Sequence, residues 1–347
     1  MNKIINKALF YKEWINVRWV TLLTIIVLLF YKVYGVISQL NLNKIRIEQQ
    51  GRFLPDTWFN NGLYVRNSYF FVMIFVVIIL AIILFSGEKS SETQGFIASM
   101  PFTRKEIILN KWLIGALSIL ISFVVTYIFL SLFYFANING LDTALNPYSD
   151  IIKWFFMDTF QYICIFTFMV LAQAVMGNSV VSGIVGGILL TVPLFITLQV
   201  GSLAIKYHVI ESASLFLIKV TDWLCIYSYN LTGSISTEPN SSNQMYMILY
   251  YTNYKAKLLV LFLLTCLFLY LAYVSYKKRN LEYNSKLIVF KNLKLLFICG
   301  IALCSGIIGS TVFATENLIS FWIWFVIFTI IGYFISKLLL KVLSLSK

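Results

Sequence analysis

Residues 87–111 read GEKSSETQGFIASMPFTRKEIILNK and separate two long apolar runs, Tyr69–Ser86 and Trp112–Phe135. About 20 apolar residues in a helix are enough to cross the hydrocarbon core of a bilayer. Each flanking run therefore predicts a membrane-spanning helix, and the polar stretch between them predicts a loop at the membrane surface.

The polar stretch carries its own signals for helix ends. A short helix that begins at Ser90 or Ser91 must end at Pro101, because proline lacks an amide donor and disfavours helix in the residue before it. Thr103 stands three residues before Glu106, which is the spacing of a capping box at a helix start. We predict a short helix, a proline break and a capped helix that continues into the next span. An element of this design is typical of a contact surface.

The composition places the whole chain in a membrane. Hydrophobic residues make up 60% of the 347 positions and charged residues 12%, whereas about a quarter of the residues in soluble domains are charged. The mean hydropathy is +0.84. The fold class is an all-α polytopic membrane protein, with a tight turn at residues 176–179 between the fourth and fifth spans. The eight predicted spans are 19–38, 69–86, 112–135, 154–176, 180–200, 257–276, 295–314 and 319–340.

Lysine and arginine counts predict the orientation of the spans, because cytoplasmic loops carry an excess of both. With the N-terminus inside, the turn at 176–179 is cytoplasmic, and so are four charged segments, which hold 17 of the 27 basic residues but only five of the 14 acidic ones. Both termini are then cytoplasmic. The net charge of +13 is therefore a topology signal and not a sign of nucleic-acid binding. The four segments are 2–18, 87–111, 277–294 and 337–347.

Segments outside the spans are predicted from their charge and turn residues. Residues 2–18 alternate apolar and basic groups, which favours an amphipathic helix at the membrane interface. Within the outer loop 201–256, Glu211–Tyr227 is too short and too charged to cross the membrane, so it lies flat or dips in. Thr232–Gln244 is rich in Gly, Ser, Asn and Pro and predicts an irregular loop. The basic charge of segment 277–294 suits a grip on anionic lipid or on a partner, and also ordinary anchoring under the positive-inside rule.

Chemistry within the chain is sparse. His208 is the sole histidine, so no histidine cluster for a metal or a hydrolytic site is available. No G-x-x-x-x-G-K-[ST] phosphate-binding loop occurs, so ATP hydrolysis would need another chain. Lys32 and Asp158 are ionisable residues near the outer ends of their spans, and for Asp158 we expect a structural or water-facing role.

At residues 87–111 the chain resembles the membrane subunit, or permease, of ABC-2-type ABC transporters. The first cytoplasmic loop of that family has acidic residues, a glycine, an apolar pair, a proline, a threonine or serine with an arginine, and a closing lysine. The N-terminal surface helix, the turn at 176–179 and the outer helices also resemble the family, over roughly residues 1–276. The matching loop residues here are Glu88, Glu92, Gly95, Phe96, Ile97, Met100, Pro101, Thr103, Arg104, Ile107, Ile108, Asn110 and Lys111.

The resemblance implies a domain plan and a set of partners. Residues 1–18 would be the connecting helix, 19–276 the six-span core, and 277–347 a basic loop with an additional two-span hairpin. The matched residues from Glu88 to Arg104 would contact cytoplasmic ATPase subunits, which alone bind ATP and magnesium, while Thr103 and Glu106 cap the next helix. A second permease copy, identical or related, would complete the pathway for an exported amphiphilic substrate in a bacterial cell membrane.

Two other classes of function stay open from the residues. An ion-coupled secondary transporter would transport without an ATPase, and a membrane-embedded enzyme, sensor or structural protein would act as an isolated chain. Within the transporter class, the sequence leaves a peptide antibiotic, a lipid-linked intermediate and a polysaccharide as possible substrates.

The charge asymmetry gives a direct test of topology. In a variant without the native cysteines, single cysteines at Ser91 and Ser285 should react with a membrane-impermeant maleimide only from the cytoplasm. A cysteine at Ser236 should react only from outside. Labelling of position 236 from inside would contradict the eight-span topology.

Overall fold

The computed structural model describes residues 7–50, 57–64, 69–89, 102–207, 213–230, 232–236, 247–279, 291–315 and 317–345. Eight of its helices are long and apolar enough to cross a membrane, and each contains or closely matches one predicted span. The prediction of an all-α polytopic membrane protein with about eight transmembrane helices is confirmed.

The helices follow one another with short connections. In chain order they are α1 (Lys7–Leu28), α2 (Tyr34–Gln50), α3 (Trp58–Tyr64), α4 (Tyr69–Lys89), α5 (Arg104–Ala136), α6 (Ser149–Val175), α7 (Ser179–Lys206), α8 (Ala213–Leu224), α9 (Tyr254–Lys278), α10 (Lys291–Phe313) and α11 (Leu318–Leu345). Three short helical segments join or follow them, at Leu29–Val33, Ile138–Gly140 and Ile226–Ser228.

The N-terminal helix is longer than predicted. Residues 7–18 are helical, as expected, but they run without a break into the first span, and the helix continues to Gln49 through a π-helical segment at Leu29–Val33. At 1.5 Å per residue its 43 residues measure about 65 Å, roughly twice the 30 Å hydrocarbon core. Parts of this helix must therefore lie outside the hydrocarbon.

The chain forms two compact units, and the first comprises the described parts of Met1–Leu84, Glu106–Thr167 and Tyr229–Phe268. Hydroxyl groups join α1 to α5 within it: Thr21 Oγ1 lies 2.7 Å from Ser118 Oγ, and Ser122 Oγ donates to the Thr21 carbonyl. Short polar side chains let helix backbones approach and bond in apolar surroundings. The two helices are thus joined side by side.

A β-hairpin belongs to the same unit, where we had predicted an irregular loop. Strands β1 (Thr232–Ser236) and β2 (Met247–Tyr251) pair antiparallel, with Thr232 opposite Tyr251. The prediction was wrong for 232–236 because a strand needs a partner, and composition does not reveal one. Helix α3 holds strand β2 through Asn60. Its Oδ1 accepts from Leu249 N (2.8 Å), and its Nδ2 donates to Leu249 O (3.0 Å).

The second unit comprises the described parts of Phe85–Lys105, Phe168–Ser228 and Leu269–Lys347. The predicted tight turn at 176–179 is confirmed: α6 ends at Val175, and Asn178 caps α7 by accepting from Val180 N at 2.9 Å and Val181 N at 3.2 Å. Helix α8 packs on α7. Its 12 residues measure about 18 Å, so it is too short to span the membrane.

Helices α10 and α11 form the two-span hairpin predicted at the C-terminus, and they pack closely. A methyl group added at Gly309 of α10 would lie 2.1 Å from Phe328 Cγ of α11. A methyl group added at Gly332 would lie 2.6 Å from Ser305 Oγ. Small residues at these positions allow the two helices to approach one another, as in other membrane helix pairs.

Gly309→Ala should therefore destabilise the hairpin, whereas Gly300→Ala should not. Overpacking a helix contact costs roughly 1–3 kcal/mol, and in the described part of the chain the added methyl at Gly300 meets no atom within 4 Å. Thermal unfolding of the purified protein in detergent measures the difference. Equal melting temperatures for the two variants would show that α10 and α11 are not in this contact.

Candidate functional site

The structure describes both ends of the predicted contact loop but not its middle. Glu88 lies in the last turn of α4, and Thr103 immediately precedes the first residue of α5, the position expected of an N-cap, with Glu106 in the first turn. The remaining predicted residues, Glu92, Gly95, Phe96, Ile97, Met100 and Pro101, lie outside the described residues.

The leading end of the loop is held by Gln173 of α6. Lys89 Nζ donates to the Gln173 carbonyl oxygen at 2.9 Å and to its side-chain Oε1 at 2.6 Å. The ammonium group also lies 5.8 Å from the ring centroid of Phe85, one turn earlier in α4. Hydrogen bonds from a charged donor are shorter and stronger than those between neutral groups. The last described residue before the loop is therefore tied to α6.

The trailing end of the loop is held by the end of α9. One guanidinium nitrogen of Arg104, Nη1, donates to the carbonyl oxygens of Lys277 at 3.0 Å and Arg279 at 2.5 Å. Carbonyl groups in the last turn of a helix have no partner within that helix and attract cations. Arg104, which the resemblance assigned to ATPase contact, thus binds this chain's own backbone.

Gln173 joins the two ends. It is fully buried, and its carbonyl also accepts from Nη1 of Arg279 at 3.4 Å. Its Nε2 donates to the Ser179 carbonyl across the tight turn at 2.9 Å. One residue thereby contacts Lys89, Arg279 and Ser179. Sequence reasoning passed over Gln173, although an amide three residues before a predicted turn, inside an apolar run, is a recognisable signal.

These contacts bring together three segments predicted on the same side of the membrane, namely 87–111, 176–179 and 277–294. In the first unit, Asn60 contacts both Asn146 and Leu249. These three residues come from segments predicted on the outer side of the membrane. The grouping agrees with the predicted alternation of spans.

Residues 9–281 match the family described as ABC-2 family transporter protein. The chain belongs to the ABC-2 transporter family. It is a permease subunit of an ABC transporter, a multi-pass membrane protein whose family associates with ABC ATPase subunits. The match covers the first six spans and leaves α10 and α11 beyond it. No significant similarity links this permease to curated proteins or to solved structures.

A buried ion pair lies in the first unit, on the helices that lead to and from the loop. Lys111 Nζ of α5 lies 2.9 Å from Glu13 Oε1 of α1, with side chains 2% and 3% exposed, and it also donates to the Leu84 carbonyl of α4. One ammonium group therefore joins α1, α4 and α5. The sequence supplied both charges but not their pairing, since 98 residues separate them.

A second polar cluster in the first unit surrounds Asp158, which is buried. Its Oδ2 accepts from Trp154 Nε1 at 2.9 Å and Tyr69 OH at 3.2 Å, and its Oδ1 accepts from Tyr251 OH at 3.2 Å. Burial, with a contribution from Asp158, raises the pKa of Tyr251 well above its usual range, so its phenol stays protonated and continues to donate. Asp158 therefore has the structural role that we expected and not the water-facing one.

Lys32, the other ionisable residue noted in a span, lies in the π-helical segment and is buried. Its Nζ donates to the Leu63 carbonyl at 2.9 Å and lies 4.6 Å from the ring centroid of Tyr69 and 5.8 Å from that of Trp154. A carbonyl oxygen and aromatic faces are favourable surroundings for an ammonium group. Lys32 thus connects the first span to α3, α4 and α6.

The Glu13–Lys111 pair predicts a non-additive pair of mutations. Lys111→Met should lower the stability of the permease by about 3–5 kcal/mol, because the buried Glu13 carboxylate keeps only the exposed ammonium group of Lys12, 3.9 Å away. Adding Glu13→Gln should recover part of that loss, since neither charge then remains. A double-mutant cycle on thermal unfolding in detergent measures the coupling. Lys105→Met, at an exposed position of the same helix, is the control; strictly additive effects would argue against the pair.

Proposed function

We propose that this permease is driven by separate cytoplasmic ATPase subunits that bind residues 88–103, and that it exports an amphiphilic substrate. The observation that carries the proposal is the attachment of both loop ends, Lys89 and Arg104, to Gln173 and to the end of α9. The loop can transmit movement of a bound ATPase to the spans only if the contacts at its two ends, the base of the loop, stay intact during that movement.

The base has the properties that transmission requires. Four of its hydrogen bonds come from the charged groups of Lys89 and Arg104, and three of these reach backbone carbonyls. Backbone acceptors move with their helices, so displacement of the loop acts directly on α6 and α9. Lys89 is the last residue of α4 and Arg104 is the first residue of α5. Movement of the loop can therefore act on four helices, α4, α5, α6 and α9.

The loop sequence offers anchors for a partner. Phe96, Ile97 and Met100 are apolar residues in a polar segment, and buried aromatic and aliphatic anchors commonly supply most of the energy of a protein interface. The chain has no phosphate-binding loop of its own, so an external ATPase is the source of energy that the proposal needs.

Substrate and assembly follow from the family resemblance. Two permease copies, identical or related, would enclose the pathway, and export of an amphiphile such as a peptide antibiotic or a lipid-linked molecule is the direction we propose. The location is the cell membrane of a bacterium, with the loop facing the cytoplasm.

Alanine substitutions in the loop test the proposal. Phe96→Ala and Met100→Ala should leave the amount of inserted permease unchanged but release the co-expressed ATPase or lower ATP hydrolysis of the complex. Removal of an interface anchor commonly costs 2 kcal/mol or more, which is about a 30-fold loss of affinity. ATPase co-purification and hydrolysis are measured on the same membranes, with Ser99→Ala in the same loop as the control.

Two outcomes would contradict the proposal. Wild-type ATPase binding and hydrolysis in both variants would show that 88–103 is not the contact. Sustained ATP hydrolysis by the purified permease alone, or substrate transport that persists without the ATPase, would favour the other classes of function.

A further inference from the structure

The C-terminal hairpin, α10 and α11, lies beyond the residues that match the ABC-2 family, yet it contacts the element that holds the loop base. Met176, the first residue of the tight turn, is buried with 4% exposure. Leu293 and Phe297 of α10 and Leu340 of α11 pack against it. The hairpin thus covers the turn between Gln173 and Ser179.

A second attachment lies at the other end of α7. Lys206 Nζ donates to the Ala314 carbonyl at 2.5 Å, and Tyr207 OH donates to the Thr315 carbonyl at 3.2 Å. The start of α10 therefore lies near the start of α7, and its end near the end of α7, so the two helices run parallel. Two attachments at opposite ends of α7 fix the hairpin along the helix.

The side chain of Met176 contacts both helices that the turn joins and the hairpin as well. The turn consists of Met176, Gly177 and Asn178, and the Met176 side chain packs on Val175, Val181 and Val185 of its own two helices besides the hairpin. Methionine is flexible and adapts to whatever surrounds it, so its position depends on the shape of its neighbours. Phe297 is a neighbour of Met176 that lies outside α6 and α7.

We propose that the C-terminal hairpin is a brace that positions the 176–179 turn and, through Gln173, the base of the coupling loop. Phe297 is then a positioning residue for coupling: it touches neither the loop nor the ATPase and acts through Met176. This role rests on the proposed function of the loop as the ATPase contact, and it assigns a task to a segment that family membership leaves without one.

Spin-label mobility tests the brace without the ATPase. A label at Gly87→Cys, in a background without native cysteines, lies two residues before Lys89, where an added Cβ meets no atom of the described residues within 4 Å. Phe297→Ala should increase the mobility of this label. Leu296→Ala, whose side chain is 69% exposed, should not. Phe297→Leu, which keeps an apolar contact with Met176, should restore most of the immobilisation.

ATP hydrolysis by the co-purified complex is the second readout. Phe297→Ala should retain the bound ATPase, because the loop surface is unchanged, but reduce hydrolysis per complex by about 2- to 30-fold, the range for substitutions that alter coupling without contacting a ligand. Phe297→Leu should recover it. If Phe297→Ala fails to insert, Leu340→Ala removes a contact with Met176 from the other helix of the hairpin.

The possible failures are distinct. Equal label mobility in Phe297→Ala and Leu296→Ala would overturn the brace, whatever the ATPase does. Increased mobility with unchanged hydrolysis would also overturn it, since the turn would then move without affecting coupling. If instead the proposed function of the loop is wrong, ATPase binding will be unaltered in Phe96→Ala.

Discussion

Hydrocarbon offers no hydrogen-bond partner, so every polar group that a helix carries into the membrane must be satisfied by the chain itself. This constraint explains the arrangement of the buried polar side chains. Lys111 meets Glu13, Asp158 receives three donors, and Gln173 is bonded through both its backbone and its side chain. Each such group has a small set of acceptable neighbours, so it determines which helices lie side by side.

Apolar side chains do not select neighbouring helices in this way, because a leucine is as well solvated by lipid tails as by another helix. Only 6% of the most apolar stretch of α11 is buried, whereas 67% of that of α6 is. Helix α6 also carries Asp150, Asp158 and Gln173, and its burial follows from the partners that these residues need. The hairpin relies on close approach at glycines and on two attachments to α7.

The sequence was sufficient for the spans, the turn at 176–179 and the ends of the loop, because hydropathy, capping residues and charge are local properties. It was not sufficient for the contacts that hold the loop, since Lys89 and Gln173 are 84 residues apart and Arg104 and Arg279 are 175 apart. The strand at 232–236 was missed for a different reason. Its partner strand, 247–251, is near in the chain, but the composition of 232–236 itself favoured a loop.

Asn60 has a consequence for the resistance of the folded protein to aggregation. Its carboxamide accepts from and donates to Leu249 as the backbone of a third strand would, so it occupies the outer edge of β2. Open strand edges recruit strands from other molecules and seed aggregation. The amide supplies both the donor and the acceptor that Leu249 needs, whereas an aspartate would face the Leu249 carbonyl with a second acceptor. Docking of helix α3 thus occupies the edge of β2 at Leu249, so this point of the hairpin is closed to pairing with a strand of another molecule.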